Sequence, residues 1–356
     1  MGVSPVEITL ELTPRARFDI IDVRERLRTA HGDLLNAYPH HLYHSFHTTA
    51  GYLEQGLAAR LTRDKRATVA PYLEVFRAMF PEGAGYEHDQ LDRRKDLTSA
   101  ERAVEPRNAD SHLAFIAGGL RTCVTHPNRG SKPVFFVDLD GVNEGRPRRR
   151  RTRVIGFSRE RLVRATRIEV PVSGHPIDSV NLKDPRLGVY DELAAFVREA
   201  GIPKGRLRVA LDPTERHSAL TVNEYETLLM QYDLAEVLRN PLRFVAEKYR
   251  HAMANPRAVP AKTLGYAKYD LVRLLNQSLD TLRLRGSIVE KIMARTLAVP
   301  AARFFRMRRS VSLLVSDCQN GLPGIVEGTY QSPILVQWQH APRQSRVLNV
   351  SLTEIQ

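Results

Sequence analysis

Tyr43-His44-Ser45-Phe46-His47-Thr48-Thr49-Ala50-Gly51 sets a histidine at the end of a strand-like run and follows it with two hydroxyls and two small residues. Such a histidine can close a buried strand, or it can stand where a metal or an anion is held. The arrangement has an echo. Glu215-Arg216-His217-Ser218-Ala219-Leu220-Thr221-Val222-Asn223-Glu224 again places small residues after a histidine, behind the alternating run Gly205 to Leu211. One arrangement met twice predicts a duplicated fold.

Working outward, the far ends repeat as well. Lys132 to Asp138 ahead of Arg150 to Val154 parallels Ser332 to Trp338 ahead of Arg343 to Val347. The interval from histidine to terminal strand is longer in the second half, which predicts a tandem duplication with an insertion there. Glu7 to Thr13 alternates at period two and reads as a strand. Asp19 to Leu27 reads as a helix with an acidic start, and Leu42 to Thr48 as a strand carrying His47. Helices are predicted over about 52–61, 69–80 and 109–118, then strands over 122–125, 133–139 and 152–157. The second half repeats the order, with a strand at 166–172, a helix at 191–200 and strands at 205–211, 311–315 and 332–338. Its inserted part, around 226–300, contains the helix-compatible runs Leu228 to Leu238, Pro241 to Met253 and Leu271 to Ile292.

Composition sets outer limits. A chain of 356 residues with 42% hydrophobic composition can bury two ordinary cores. No apolar run is long enough to span a bilayer and the start lacks a secretory pattern, so no membrane partner and a cytoplasmic address are expected. Cys123 and Cys318 are too few for a disulfide scaffold and read as reduced thiols. The formal charge of +13 suits phosphorylated metabolites, nucleic acid or an acidic partner. It is concentrated in Arg146 to Arg153, RPRRRRTR, and in Arg303 to Arg309. Neither run has a nucleic-acid recognition motif around it, so nucleic acid is the less favoured partner.

The candidate chemistry lies in the first half. His47, His88 in Tyr86-Glu87-His88-Asp89, and His112 in Asn108-Ala109-Asp110-Ser111-His112-Leu113 each sit beside polar residues, and three imidazoles suit a catalytic divalent metal with an open position. His44, His40 and His41 rank lower, on or before the same strand. Asn108 or Asp110 can cap the helix that follows, leaving amides for an anion. Thr48 and Thr49 are candidate phosphate contacts. The bland readings stay beside these: scattered histidines, a plain cap, and threonines satisfying a sheet. No phosphate loop with Lys-Ser/Thr and no GxSxG nucleophile motif occurs.

In order, HTTA, YEHD and NADSHL followed by a terminal strand and Asp140-Gly141 resemble the YjbQ-like family, often labelled secondary thiamine-phosphate synthase, over roughly residues 8–158. The second half adds His217 to Glu224, which resembles the latter part of that family's HTTAALTINE passage. The resemblance implies an α+β fold of two diverged YjbQ-like domains, residues 1–160 and 161–356, with antiparallel sandwich-like sheets and flanking helices. It implies metal ligation by His47, His88 and His112, ligand orientation by Asp110, anion stabilisation by Arg107 and phosphate contact by Thr48. The activity implied is transfer on a phosphorylated small molecule with release of pyrophosphate, in a homo-oligomer of the trimer kind. Three histidines suit zinc better than magnesium, which keeps metal-assisted hydrolysis as an alternative. A non-catalytic RNA-associated scaffold is the competitor of another class. The departures are specific. Glu54 and Gln55 stand where Asn-Glu is expected, while Asn223 and Glu224 keep that pair in a half without the YxH and NADxHL companions. The family's Gly-Thr-Trp-Gln-Gly passage is read as replaced by 128–132 and 326–330. Two readings follow: one first-copy site buttressed by the second, or one composite site that also uses His217, Asn223 and Glu224.

Overall fold

In a computed structural model, the structure describes residues 4–61, 69–129, 132–239, 244, 247, 248, 307–317 and 322–356. Cys318, most of the 241–253 run, the 271–292 run and Arg303 to Arg306 lie outside the described residues.

The first copy runs β1 (Val6–Leu12), β2 (Asp19–Asp22), α1 (Val23–His31), β3 (His40–Ser45), β4 (Ala50–Tyr52), α2 (Gln55–Leu61), α3 (Val69–Met79), α4 (Ser99–Arg102), α5 (Ala109–Ala117), β5 (Cys123–Pro127), β6 (Phe135–Asp138), the small hairpin β7 (Val142–Asn143) and β8 (Arg146–Pro147), and β9 (Arg150–Phe157). The second runs β10 (Glu160–Pro171), β11 (Asp178–Asn181), α6 (Val189–Ala200), β12 (Gly205–Leu211), β13 (Ser218–Asn223), α7 (Leu234–Arg239), β14 (Ser310–Asp317), β15 (Pro323–Val326), β16 (Ser332–Gln337) and β17 (Ser345–Ile355).

Sheet orders β1-β9-β3-β5 and β2-β6-β4 return as β10-β17-β12-β14, extended by β15, and β11-β16-β13. Among the described residues every strand pairing is antiparallel. The fold is therefore α+β, with two sets of antiparallel sheets flanked by helices, and the duplication is visible in the strand order itself. Each set is two-layered because alternating apolar residues must face one another. Ile8, Leu10, Tyr43 and Val154 share a core with Tyr52 and Phe136 of the smaller sheet and with Val23 and Leu27 of α1. Leu207, Val209, Leu348 and Val350 do the same with Leu220 and Leu335, under Leu193, Phe196 and Val197 of α6. A third cluster, Leu42, Cys123, Ile155, Phe157, Leu314, Val326 and Ile355, joins the faces of the two larger sheets.

Local chemistry sets the ends of the flanking helices. Asp22 accepts the amides of Arg24 and Glu25 to start α1, and Gly32 at φ 60° ends it. Asp19–Asp22 is a strand paired with β6, so the expected helical start moves to Val23. Ile20 and Ile21 are both buried, and a strand covered on both faces shows no alternation.

By compactness the chain divides into a sheet unit, 1–58 with 119–225 and 307–356, and a helical unit, 59–118 with 226–306. The helical unit holds the excursions that leave after β4 and after β13. In it α3 packs on α5 where Gly118 leaves room for Leu73 and Phe76, and the Tyr72 hydroxyl donates to Gly118 O at 2.8 Å. Among the described residues no helix is long and apolar enough to cross a membrane.

His44, inside the sheet unit, gives a test of the packing. It is 2% exposed, stacks edge-on against Phe46, and neither ring nitrogen has a hydrogen-bond partner among the described residues. Burial, with Arg153 and Arg151 close by, pushes its pKa down to about 3. A folded-state value below the unfolded value near 6.5 means stability is lost as pH falls from 6.5 towards 3. His44→Leu is expected to remove that loss, gaining about 2 kcal/mol on wild type between pH 7 and pH 5. Urea unfolding of both proteins at the two pH values measures it, and parallel pH dependences would refute the account.

Candidate functional site

In the sheet unit the His47 loop follows β3, so His47 stands just past the strand and not on it. Its Nε2 accepts the Arg151 N–H at 2.7 Å. Burial and the cations Arg150, Arg148 and Arg151 depress its pKa to about 3, which keeps the ring neutral and that nitrogen an acceptor. Thr49 is buried with its hydroxyl 3.3 Å from the Arg150 guanidinium, and Arg151 lies over the Phe46 ring at 4.3 Å. Side chains of the second copy hold the loop. Asn223 Nδ2 donates to Thr48 O at 2.9 Å, and Gln331 Nε2 donates to Ser45 O and His47 O at 2.8 and 2.9 Å. Asn223 thus reaches the first-copy loop through its backbone.

The register shifts the echo between the two histidine passages by two positions. Ala50 faces Asp138 across the smaller sheet, and Ser218 faces Gln337 in the same way. Thr49 therefore corresponds to His217, and His47 to Glu215. The contacts agree, since Glu215 Oε1 accepts the Val347 N–H at 2.9 Å just as His47 accepts the Arg151 N–H. His217 is exposed, with its backbone at φ 57°. Behind each loop lies a buried arginine. Arg150 binds Asp138 through Nε and Nη2 at 2.7 and 2.8 Å and Asp140 O at 2.6 Å. Arg346 binds Gln337 at 3.2 Å, Glu215 at 2.8 Å and Gln339 O at 2.7 Å. The counter-carboxylate is on the strand in one copy and on the loop in the other. The RPRRRRTR run is accordingly divided: Arg150 is buried, Arg148 pairs with Asp140 and Arg153 with Glu7, while Arg146, Arg149 and Arg151 are exposed.

The helical unit brings His88 and His112 together. Every residue of α5 is buried, although its first turn reads Ala-Asp-Ser-His. Polar groups in a helix buried all round must be held by partners, which makes that turn chemically unusual. The cap differs from both expected ones: Asp89 Oδ1 accepts the Ala109 N–H at 3.0 Å, and Asn108 makes no capping bond through its side chain. Asp110 lies inside the first turn, its Oδ2 3.4 Å from the Ser111 hydroxyl, and Arg107 is exposed just ahead of the helix. The His88 and His112 rings meet edge to face, 5.3 Å between centroids. His88 Nδ1 is 3.0 Å from Glu226 Oε2 and Nε2 is 3.4 Å from Asn108 Oδ1. Glu226 also accepts the amides of Leu228 and Leu229, each at 2.8 Å. Burial pushes its carboxyl up, but His88 and the two amides outweigh that and hold it below the ordinary range. Asp233 accepts the Glu87 and His88 amides at 3.1 and 2.9 Å, and burial lifts its pKa to about 6.

Of the candidate residues, His88, His112, Asp110 and Arg107 belong to the helical unit, and His47, Thr48, Thr49, His217, Asn223 and Glu224 to the sheet unit. Among the described residues no group of three or more His, Cys, Asp or Glu is placed to hold a metal ion. Glu226 and Asp233 are the partners sequence reasoning missed. Glu226 stands two residues past the Asn223-Glu224 pair, just ahead of an apolar run, where a capping acid is a readable signal.

No family model matches the chain, and no curated protein matches it. Similar solved structures are a YbjQ-like protein of unknown function from Sulfolobus solfataricus, at 16% identity over 55% of this chain and 99% of that one with a TM-score of 0.29. A hypothetical protein from Aeropyrum pernix matches at 16% over 52% and 96%, TM-score 0.27. An uncharacterised conserved protein of the YjbQ/UPF0047 family from Clostridium acetobutylicum matches at 18% over 41% and 97%, TM-score 0.26. These are weak likenesses that cover part of the chain.

Proposed function

We propose that the chain is a metal-dependent enzyme acting on a phosphorylated small molecule, with His88 and His112 as imidazole ligands of a divalent ion. The observation that carries this reading is the buried His88–Glu226 pair beside the His112 ring. A carboxylate that accepts the Nδ1–H fixes the tautomer and leaves Nε2 as the donor atom, from which the Asn108 side chain, 3.4 Å away, has to turn aside when an ion binds. Glu226, itself tied to two amides, orients His88 and does not ligate. Two imidazoles favour zinc over magnesium, with substrate or water oxygens completing the set. When bound, such an ion supplies Lewis-acid stabilisation of charge on a phosphoryl oxygen. Arg107, ahead of α5, offers a cation for the same anionic group, and Asp110 is the candidate for holding a substrate hydroxyl or a water. Asp233 accepts the His88 amide and so braces the backbone that carries the ring. His47 is left out, because its Nε2 already accepts a backbone amide.

Metal content by mass spectrometry, on protein purified without a histidine tag, tests the reading. Wild type is expected to carry zinc near one per chain and His88→Ala/His112→Ala to lose it. Glu226→Gln is expected to weaken zinc about 10- to 100-fold. Equal metal in wild type and the double variant would defeat the assignment. Incubation with a pyrimidine diphosphate and a thiazole phosphate, read for pyrophosphate, separates coupling from phosphoester hydrolysis.

A further inference from the structure

The two arginines that stand two residues ahead of β5 and β14 are counterparts. Arg121 bridges to Tyr52 and Arg308 to Leu220, which occupy the same register position in the two copies. Their side chains cross between copies: Arg121 Nη1 donates to Ser310 O at 2.8 Å, and Arg308 Nη2 lies 3.5 Å from Gly119 O. A third guanidinium, Arg208, lies 3.4 Å from the Ser310 hydroxyl. Arg121 and Arg308 are only 14% and 21% exposed, and both pair with one carboxylate, Glu54, at 3.5 and 3.0 Å. Val222 holds the place equivalent to Glu54, so the second copy has no acid at that position. The Nε–H groups of Arg121 and Arg308 have no partner among the described residues. Burial lowers the Arg121 pKa, Glu54 opposes this, and Arg308 and Arg208 lower it further.

Two partly buried guanidiniums, Arg121 and Arg308, share one carboxylate that is 48% exposed, and the exposed Arg208 reaches the Ser310 hydroxyl beside them, which leaves an excess of positive charge. We propose that Arg121, Arg208 and Arg308 form a binding site for a small tetrahedral oxyanion, inorganic phosphate or the phosphate group of a small molecule, where the two repeats meet. Guanidinium forks match phosphate oxygens in geometry and charge. Glu54, at the solvent edge, is the internal competitor that moves aside when the anion enters. The proposal is independent of the metal-dependent reading, since Arg121, Arg208, Arg308 and Glu54 all belong to the sheet unit.

The test is titration of the full chain with inorganic phosphate at fixed ionic strength, by calorimetry and by thermal midpoint. Phosphate is expected to raise the midpoint by several degrees, chloride at equal ionic strength leaving it unchanged. Glu54→Gln is expected to tighten phosphate roughly tenfold by removing the competing charge. Arg121→Gln/Arg308→Gln is expected to abolish binding. Should that pair not fold, Arg208→Gln, on an exposed side chain, is expected to weaken phosphate about tenfold. Unaltered affinity in the arginine variants together with no gain in Glu54→Gln would overturn the site. So would single-stranded RNA binding that phosphate fails to compete away.

Discussion

Asp138→Ala is expected to destabilise the protein by about 3–5 kcal/mol, the cost of stranding a buried guanidinium. Arg150 is 2% exposed and Asp138 is fully buried, joined by two charge-assisted bonds at 2.7 and 2.8 Å. Burial pushes the Asp138 carboxyl up in spite of Arg150, so the cost of desolvating the pair offsets its attraction. The loss on truncation arises because Arg150 stays charged after its counter-ion has gone, left among the described residues to Asp140 O and the Thr49 hydroxyl. The second copy supplies the control. Gln337 takes the place of Asp138, and the charge that balances Arg346 comes from Glu215. Gln337→Ala should therefore cost less, about 1.5–3 kcal/mol, because Gln337 accepts a bond from the guanidinium without supplying its counter-charge, while Glu215→Ala should approach the Asp138 value. Urea unfolding of the three variants decides it. Equal losses for Asp138→Ala and Gln337→Ala would show that the carboxylate has not changed places between the copies.

Those same residues show what the sequence could and could not disclose. Alternation along Ser345–Ile355 is regular enough that the strand and its buried face are readable, and the repeated order of strands and helices follows from such runs. The register between copies was not readable. A histidine before small residues is a conspicuous likeness, yet the loop after β12 is longer than the loop after β3, and the likeness slipped by two positions onto His217. Only cross-strand pairing identifies Glu215 as the counterpart of His47. The same slip hid Gly328-Thr329-Tyr330-Gln331-Ser332. It carries a Gly, Thr, aromatic and Gln in the order of the passage that the sequence alone shows as replaced by 326–330. His88 and Glu226 are 138 positions apart, and no local period reports a contact between two excursions. His112 was legible as a candidate because its neighbours are polar, and the burial of the whole of α5 was not, because that depends on what packs around it.

Gly328→Ala is expected to cost about 3–5 kcal/mol, at the upper end for a single methyl group. A Cβ at this position would lie 1.9 Å from Phe46 O and 2.7 Å from Phe46 C, so the obstacle is backbone and cannot be relieved by a rotamer change. Nor can the Phe46 segment simply retreat. Its neighbours Ser45 and His47 give their carbonyls to Gln331 Nε2, whose Oε1 accepts the Gly328 N–H at 2.8 Å. Glycine, amide and loop thus form one closed set of contacts across the two copies, and moving the loop breaks bonds to buried carbonyls. Gln331→Ala alone should cost about 2–4 kcal/mol, the desolvation penalty of groups left without a donor. Because both substitutions act on the same junction, the double variant should fall short of their sum by about 1 kcal/mol or more. An Arg151 amide resonance that keeps its hydrogen bond to His47 in Gly328→Ala, with stability within about 0.5 kcal/mol of wild type, would mean that the second copy does not hold the His47 loop.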